Sequence, residues 1–139
     1  MSYPARPNDS KTLALAFLQS FWDGEPERGY SLCAPDAHWQ FQRSLHTPDV
    51  VPVRAAVEWL NTHLVTGFDP NSGYKVQLGS VIGEGDEASA EYSATGLTRS
   101  GETYYNRYHV RFTTRAGKIV SIRPYFDTHY VHKALFKLD

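Results

Sequence analysis

The chain has 139 residues, of which 14 are basic and 15 acidic, for a formal charge of −1, and it holds a single cysteine. That length suits one domain able to bury a core without metal or disulfide support, and without a block of like charge nothing draws it to nucleic acid or a membrane. One cysteine cannot bridge internally and no apolar run reaches the length of a signal or membrane segment, which fits a reducing, cytoplasmic setting.

Residues 1–8 carry two prolines and little apolar content, and read as a loose N-terminal arm ahead of a single domain over 9–139. Asp9 or Ser10 caps a helix whose apolar positions Leu13, Ala14, Phe17, Leu18, Phe21 and Trp22 recur at three- and four-residue spacing. Asp23-Gly24 stops it. Pro26 opens a short second helix through Leu32, ended by Ala34-Pro35. Residues Ala37 to Gln42 alternate, with Ala37, Trp39 and Phe41 on one side, the pattern of a half-buried strand. A loop at Ser44 to Asp49 leads to a third helix, where Val53, Ala56, Val57, Leu60 and Leu64 share a face.

The second half has strand period. Tyr74 to Ile82, Ala88 to Leu97, Tyr104 to Thr114 and Lys118 to Phe126 are separated by the turn signals Gly85-Asp86, Ser100-Gly101 and Ala116-Gly117, and predict a four-stranded meander. Thr128 to Leu138 then reads as helical. Helices and one strand followed by a meander make an α+β domain. There is no internal repeat.

Two-residue turns at Ser100-Gly101 and Ala116-Gly117 fix a register. They set Glu91 beside Val110, Ser93 beside Tyr108, Thr95 beside Asn106, Tyr108 beside Tyr125, and Asn106 beside Asp127. One face then holds Glu91, Ser93, Thr95, Asn106, Tyr108, Val110, Phe112, Ile119, Tyr125 and Asp127, an apolar floor with a few polar groups, as a small-ligand pocket requires. The other face holds Tyr92, Ala94, Arg107, His109, Arg111, Val120, Ile122 and Phe126, a mixed surface suited to a subunit contact. A β-bulge would exchange the faces locally. Aromatic residues make up 14% of the chain, with nine Tyr and three Trp. That is more than a core of this size needs, so some are expected to face a cavity.

The order Tyr105-Asn106-Arg107-Tyr108, Phe112, Gly117-Lys118-Ile119 and Tyr125-Phe126-Asp127-Thr128, together with Phe17 to Gly24 and Pro35-Asp36-Ala37 before Trp39, resembles the SnoaL-like branch of the nuclear-transport-factor-2-like superfamily. The resemblance spans nearly the whole chain. It implies a cone-shaped curved antiparallel sheet packed against N-terminal helices, an enclosed pocket, and frequent homodimers, on a fold shared by enzymes and non-enzymes. The stretch Gly101 to Asp127 is similar in spacing to limonene epoxide hydrolase, and Asp127 matches a catalytic aspartate there. Where that enzyme has an arginine and a second aspartate this chain has Glu91 and Ser93, and Trp39 and Phe41 replace its water-positioning tyrosine and asparagine. Phe41 also stands where ketosteroid isomerase has its proton-shuttling aspartate. Neither known mechanism has its full set of residues here.

Two readings stand for Asp127. A carboxylate in an apolar cup is an acid or base with a raised pKa, with Tyr108 or Tyr125 holding an oxyanion, whereas Asp before a helical segment is also a favoured N-cap. Candidate ligand contacts are Trp39, Phe41, Glu91, Ser93, Asn106, Phe112, Tyr125 and, on a loop able to overhang the cup, His46. No histidine spacing makes a metal site and no cofactor motif occurs. Cys33 has no adjacent cation to activate it and reads as a small core residue. Three functions follow: a cofactor-independent isomerase, lyase or cyclase-type enzyme acting on a small apolar or polycyclic compound, a binding module for such a molecule, or a dimerisation domain with a self-filled cup.

Overall fold

The computed structural model describes residues 9–136 apart from 46 and 73. The expected arm at 1–8 and the loop candidate His46 lie outside the described residues. Helix α1 (Ser10–Trp22) begins where the Asp9 side chain accepts from the Thr12 N–H at 2.7 Å, satisfying one of the first-turn donors. It stops at Asp23, with Gly24 at φ +69°, a left-handed conformation suited to glycine. Its stripe of Leu13, Ala14, Phe17 and Leu18 is buried. Helix α2 (Pro26–Tyr30), with proline in its first turn, is shorter than expected. Helix α3 (Val53–His63) buries Val53, Ala56, Val57 and Leu60.

The strands are β1 (Cys33–Gln40), β2 (Val50–Pro52), β3 (Tyr74–Glu84), β4 (Glu87–Leu97), β5 (Thr103–Arg115) and β6 (Lys118–Phe126). The last four are the expected meander. Strand β1 starts earlier than its alternation suggested, and β2, three residues long, had no signal in the chain. All six form one sheet in the order β2-β1-β6-β5-β4-β3, antiparallel except where β1 runs parallel to β6. Helix α1 packs against β3 to β6, so the core lies between the helices and one face of the sheet. Helix α4 (Thr128–Val131) continues into a π-helical turn, His132–Phe136.

Two local features set which side chains face that core. Strands β4 and β5 pair through Leu97↔Thr103, with the Thr98 N–H donating to the Glu102 carbonyl at 2.8 Å, so their hairpin closes over Arg99-Ser100-Gly101 and not over two residues. Gly101 takes φ +86°, the left-handed position of a three-residue hairpin loop. An odd loop shifts the pairing by one, which turns every side chain of β4 over. Ala88, Ala90 and Ala94 therefore face the core with Tyr92, while the expected inward residues Glu91, Ser93 and Thr95 face out.

The second feature is in β6. Its turn has two residues as expected, with Ala116 and Gly117 both at positive φ and Arg115 paired to Lys118. Between Thr114↔Ile119 and Thr113↔Ser121, however, Val120 is an extra residue, a β-bulge. Beyond it Phe112 faces Ile122, Val110 faces Pro124 and Tyr108 faces Phe126. Tyr125 is consequently turned outward and 54% exposed. On β5 the expectation was right: Asn106, Tyr108, Val110 and Phe112 are buried.

Candidate functional site

The core face of the sheet and the helices enclose a cavity of about 50 Å³. Helix α1 contributes Phe17, Leu18 and Phe21, β1 contributes Trp39, and Phe41 follows directly after that strand. Leu60, Leu64 and Phe68 come from α3 and the turn after it, and the sheet supplies Tyr74, Tyr92, Tyr108, Val110, Pro124 and Phe126. None of these carries a formal charge. Ligand pockets commonly measure some 300–1,000 Å³, so the rings fill most of the cup. Phe17 meets Phe112 edge-on at 6.0 Å, Trp39 lies 6.0 Å from Phe41, and Tyr108 stacks on Tyr92 at 5.0 Å with 12° between planes. Phe21, Tyr74, Tyr92 and Phe126 are only partly buried, unlike the rest of the wall.

The polar part of the site is a chain of hydrogen bonds along β5. The Arg107 N–H donates to Asn106 Oδ1 at 2.9 Å, and Asn106 Nδ2 donates to the Tyr104 hydroxyl at 3.1 Å. The Tyr104 and Tyr108 hydroxyls are hydrogen-bonded to each other. Burial pushes the phenols of Tyr74, Tyr92, Tyr104 and Tyr108 above the usual tyrosine range, because an ionised ring would lose its hydration there. They remain neutral hydroxyls. Trp39 Nε1 is also buried, with no hydrogen-bond partner among the described residues.

Asp127 is exposed and does not line the cavity. Its Oδ1 accepts from the Tyr130 N–H at 3.0 Å, capping α4, and its contact with Asn106 runs through the main chain, Asn106 Nδ2 donating to the Asp127 carbonyl at 3.4 Å. The N-cap reading is thus the one its geometry fits. Of the other candidates, Tyr108, Trp39 and Phe41 line the cavity, Asn106 sits behind it, and Phe112 is fully buried beneath. Glu91, Ser93 and Tyr125 lie on the opposite face, for the reasons of loop length and bulge given above. The predicted outer face changes accordingly. Arg107, His109 and Arg111 keep their outward position, whereas Tyr92, Ala94, Ile122 and Phe126 belong to the core.

Sequence reasoning missed Tyr104, Tyr74, Tyr92 and Phe126 as site residues. For Tyr92 the available signal was Gly101, which serves a three-residue hairpin as well as a two-residue one. Cys33 donates to the Gly29 carbonyl at 3.6 Å, and burial pushes its thiol up to about 11, the reverse of an activated nucleophile. Among the described residues no cluster of three or more His, Cys, Asp or Glu could hold a metal ion. Among the described residues no helix is long and apolar enough to cross a membrane.

A family model for the SnoaL-like domain matches residues 14–122. No curated protein matches the chain. Among solved structures, a protein assigned as a SnoaL-like polyketide cyclase from Jannaschia sp. CCS1 aligns with a TM-score of 0.75 at 19% identity, over 99% of this chain and 100% of that one. TerC co-crystallised with polyporic acid aligns at 0.76 and 21%, over 93% and 98% of the two chains. An NTF2-like protein from Burkholderia thailandensis E264 aligns at 0.76 and 20%, over 91% and 96%. At such identities the likeness is one of fold.

Proposed function

Because the chain belongs to the SnoaL-like domain family, we propose that its aromatic cavity binds a small, flat, apolar molecule. The observation that carries this reading is the wall itself: uncharged, mostly aromatic, and including three phenols, Tyr74, Tyr92 and Tyr108, the last with a hydrogen-bonded support behind it. Burying apolar ligand surface there contributes about 25 cal/mol per Å². The cavity of about 50 Å³ is smaller than the roughly 150 Å³ that accepts a benzene ring, so a ring-sized ligand enters only as side chains of the wall give way, and the partly buried Phe21 and Phe126 are the candidates for that movement. The family relatives assigned as polyketide cyclases, and TerC with its polyporic acid, support a small organic ligand.

The enzymatic form of this reading is a cofactor-independent isomerase, lyase or cyclase-type reaction with Asp127 as acid/base and Tyr108 as donor. One observation bears on it: Asn106 hydrogen-bonds both Tyr104 and the Asp127 main chain, so the backbone of Asp127, with its carboxylate turned to the cap of α4, adjoins the polar chain along β5. The test is turnover of a panel of cyclic enones, epoxides and hydroxylated polyketides by the native protein and by Asp127→Asn. Asn caps a helix about as well as Asp, so this change removes the carboxylate and spares α4. Loss of about 10²–10⁴-fold in turnover supports acid/base work by Asp127. Binding without turnover leaves a binding module. Absence of both overturns the proposal in favour of a self-filled cup.

A further inference from the structure

The proton arrangement along β5 follows from counting donors and acceptors. A backbone N–H can only donate, so the Arg107 N–H at 2.9 Å identifies the near Asn106 atom as Oδ1 and leaves Nδ2, a donor, facing the Tyr104 oxygen at 3.1 Å. Tyr104 is 0% exposed. Its own hydrogen therefore has one acceptor within reach among the described residues, the Tyr108 oxygen. The reverse arrangement, Tyr108 donating to Tyr104, would leave the Tyr104 hydrogen buried without an acceptor, which costs more than a hydrogen bond gains. Tyr108 thus accepts from Tyr104, which leaves its own hydrogen free of that bond, and Tyr108 is one of the residues that line the cavity. Trp39 belongs to the same wall, and its Nε1–H, a group that donates and never accepts, is buried with no hydrogen-bond partner among the described residues.

We infer that Tyr104, which lies outside the cavity wall, is a positioning residue that holds Tyr108 as a hydrogen-bond donor, so that the site selects a neutral carbonyl oxygen on its apolar ligand. An anionic oxygen is rejected, since the wall carries no cation to offset its lost hydration. This rests on the cavity-binding reading and adds to it the polarity and charge of the ligand.

The test uses three ligands of like size, ethylbenzene, acetophenone and benzoate, titrated by tryptophan fluorescence and calorimetry into the native protein, Tyr108→Phe and Tyr104→Phe. Tyr108→Phe weakens acetophenone about tenfold, one lost hydrogen bond with a stranded acceptor, and leaves ethylbenzene within about twofold. Tyr104→Phe weakens acetophenone by a smaller factor, about threefold, because Tyr108 loses the donor that polarises it. Benzoate does not bind detectably. In the native protein, which needs no variant to fold, the infrared carbonyl stretch of bound acetophenone falls below its value in hexane.

Ethylbenzene binding with acetophenone excluded, or with the ketone indifferent to Tyr108→Phe, overturns this inference and leaves the cavity reading standing. Tighter acetophenone binding by Tyr104→Phe overturns it as well, because that is the mark of the reversed hydrogen bond. Failure of both uncharged ligands to bind removes the cavity reading and this inference together.

Discussion

Tyr104 and Tyr105 are neighbours on β5, identical in chemistry, and one is 0% exposed while the other is 52% exposed. The same contrast runs the length of the strand: Asn106, Tyr108, Val110 and Phe112 are buried, and Arg107, His109 and Arg111 are exposed. Residue type does not separate the two rows of tyrosines. What separates them is register, set by a three-residue loop at one end of β5 and a bulge in β6 at the other.

The most drastic way to break this contrast is to delete Ser100, leaving a two-residue loop. If β4 and β5 then pair in the even register, Glu91, Ser93 and Thr95 are driven into the core. We expect no cooperative thermal transition from this variant, as read by circular dichroism. Raising the pH probes the buried tyrosines. Tyr74, Tyr92, Tyr104 and Tyr108 have folded pKa values raised by burial, whereas an unfolded tyrosine ionises near pH 10. The unfolded state therefore holds fewer protons above about pH 10, and stability present below that pH is lost as it rises toward the folded values. Phenolate absorbance of the buried set and loss of far-ultraviolet ellipticity should coincide, and separate transitions would contradict the burial of these hydroxyls. A smaller effect sharpens the comparison within the native register. Phe112→Ala, at 0% exposure against Phe17, should cost about 3–5 kcal/mol by denaturant unfolding, and Tyr125→Ala on the outer face no more than about 0.5 kcal/mol.

Elements were easier to read from the chain than faces. The spacing of Leu13, Phe17 and Leu18, the caps and the glycine turns yield the helices and the meander because each signal is local. Strand β2 was invisible, since three residues at a sheet edge have no period to detect. For the site, β5 was placed correctly and β4 was not, because the loop at 99–101 differs from the assumed one by a single residue. Trp39, Phe41 and Tyr108 were found through alternation within their own strands, and Asn106 with them. Tyr104 escaped for a different reason: its importance lies in bonds to residues two and four positions away on the same face, which no motif encodes.

The parallel pairing of β1 with β6 joins segments about 80 residues apart, Trp39 lying opposite Ile122. A ribosome releasing this chain delivers β1 and its short partner β2 long before the strand that ties them to the meander. Until Ile119 and Ile122 emerge, Trp39 and Phe41 have no sheet to close against, and the cost of the large loop must be met before the contact rewards it. The hairpins of β3 to β6 need only their neighbours. The last strand synthesised is therefore the one that joins β1 and β2 to the meander.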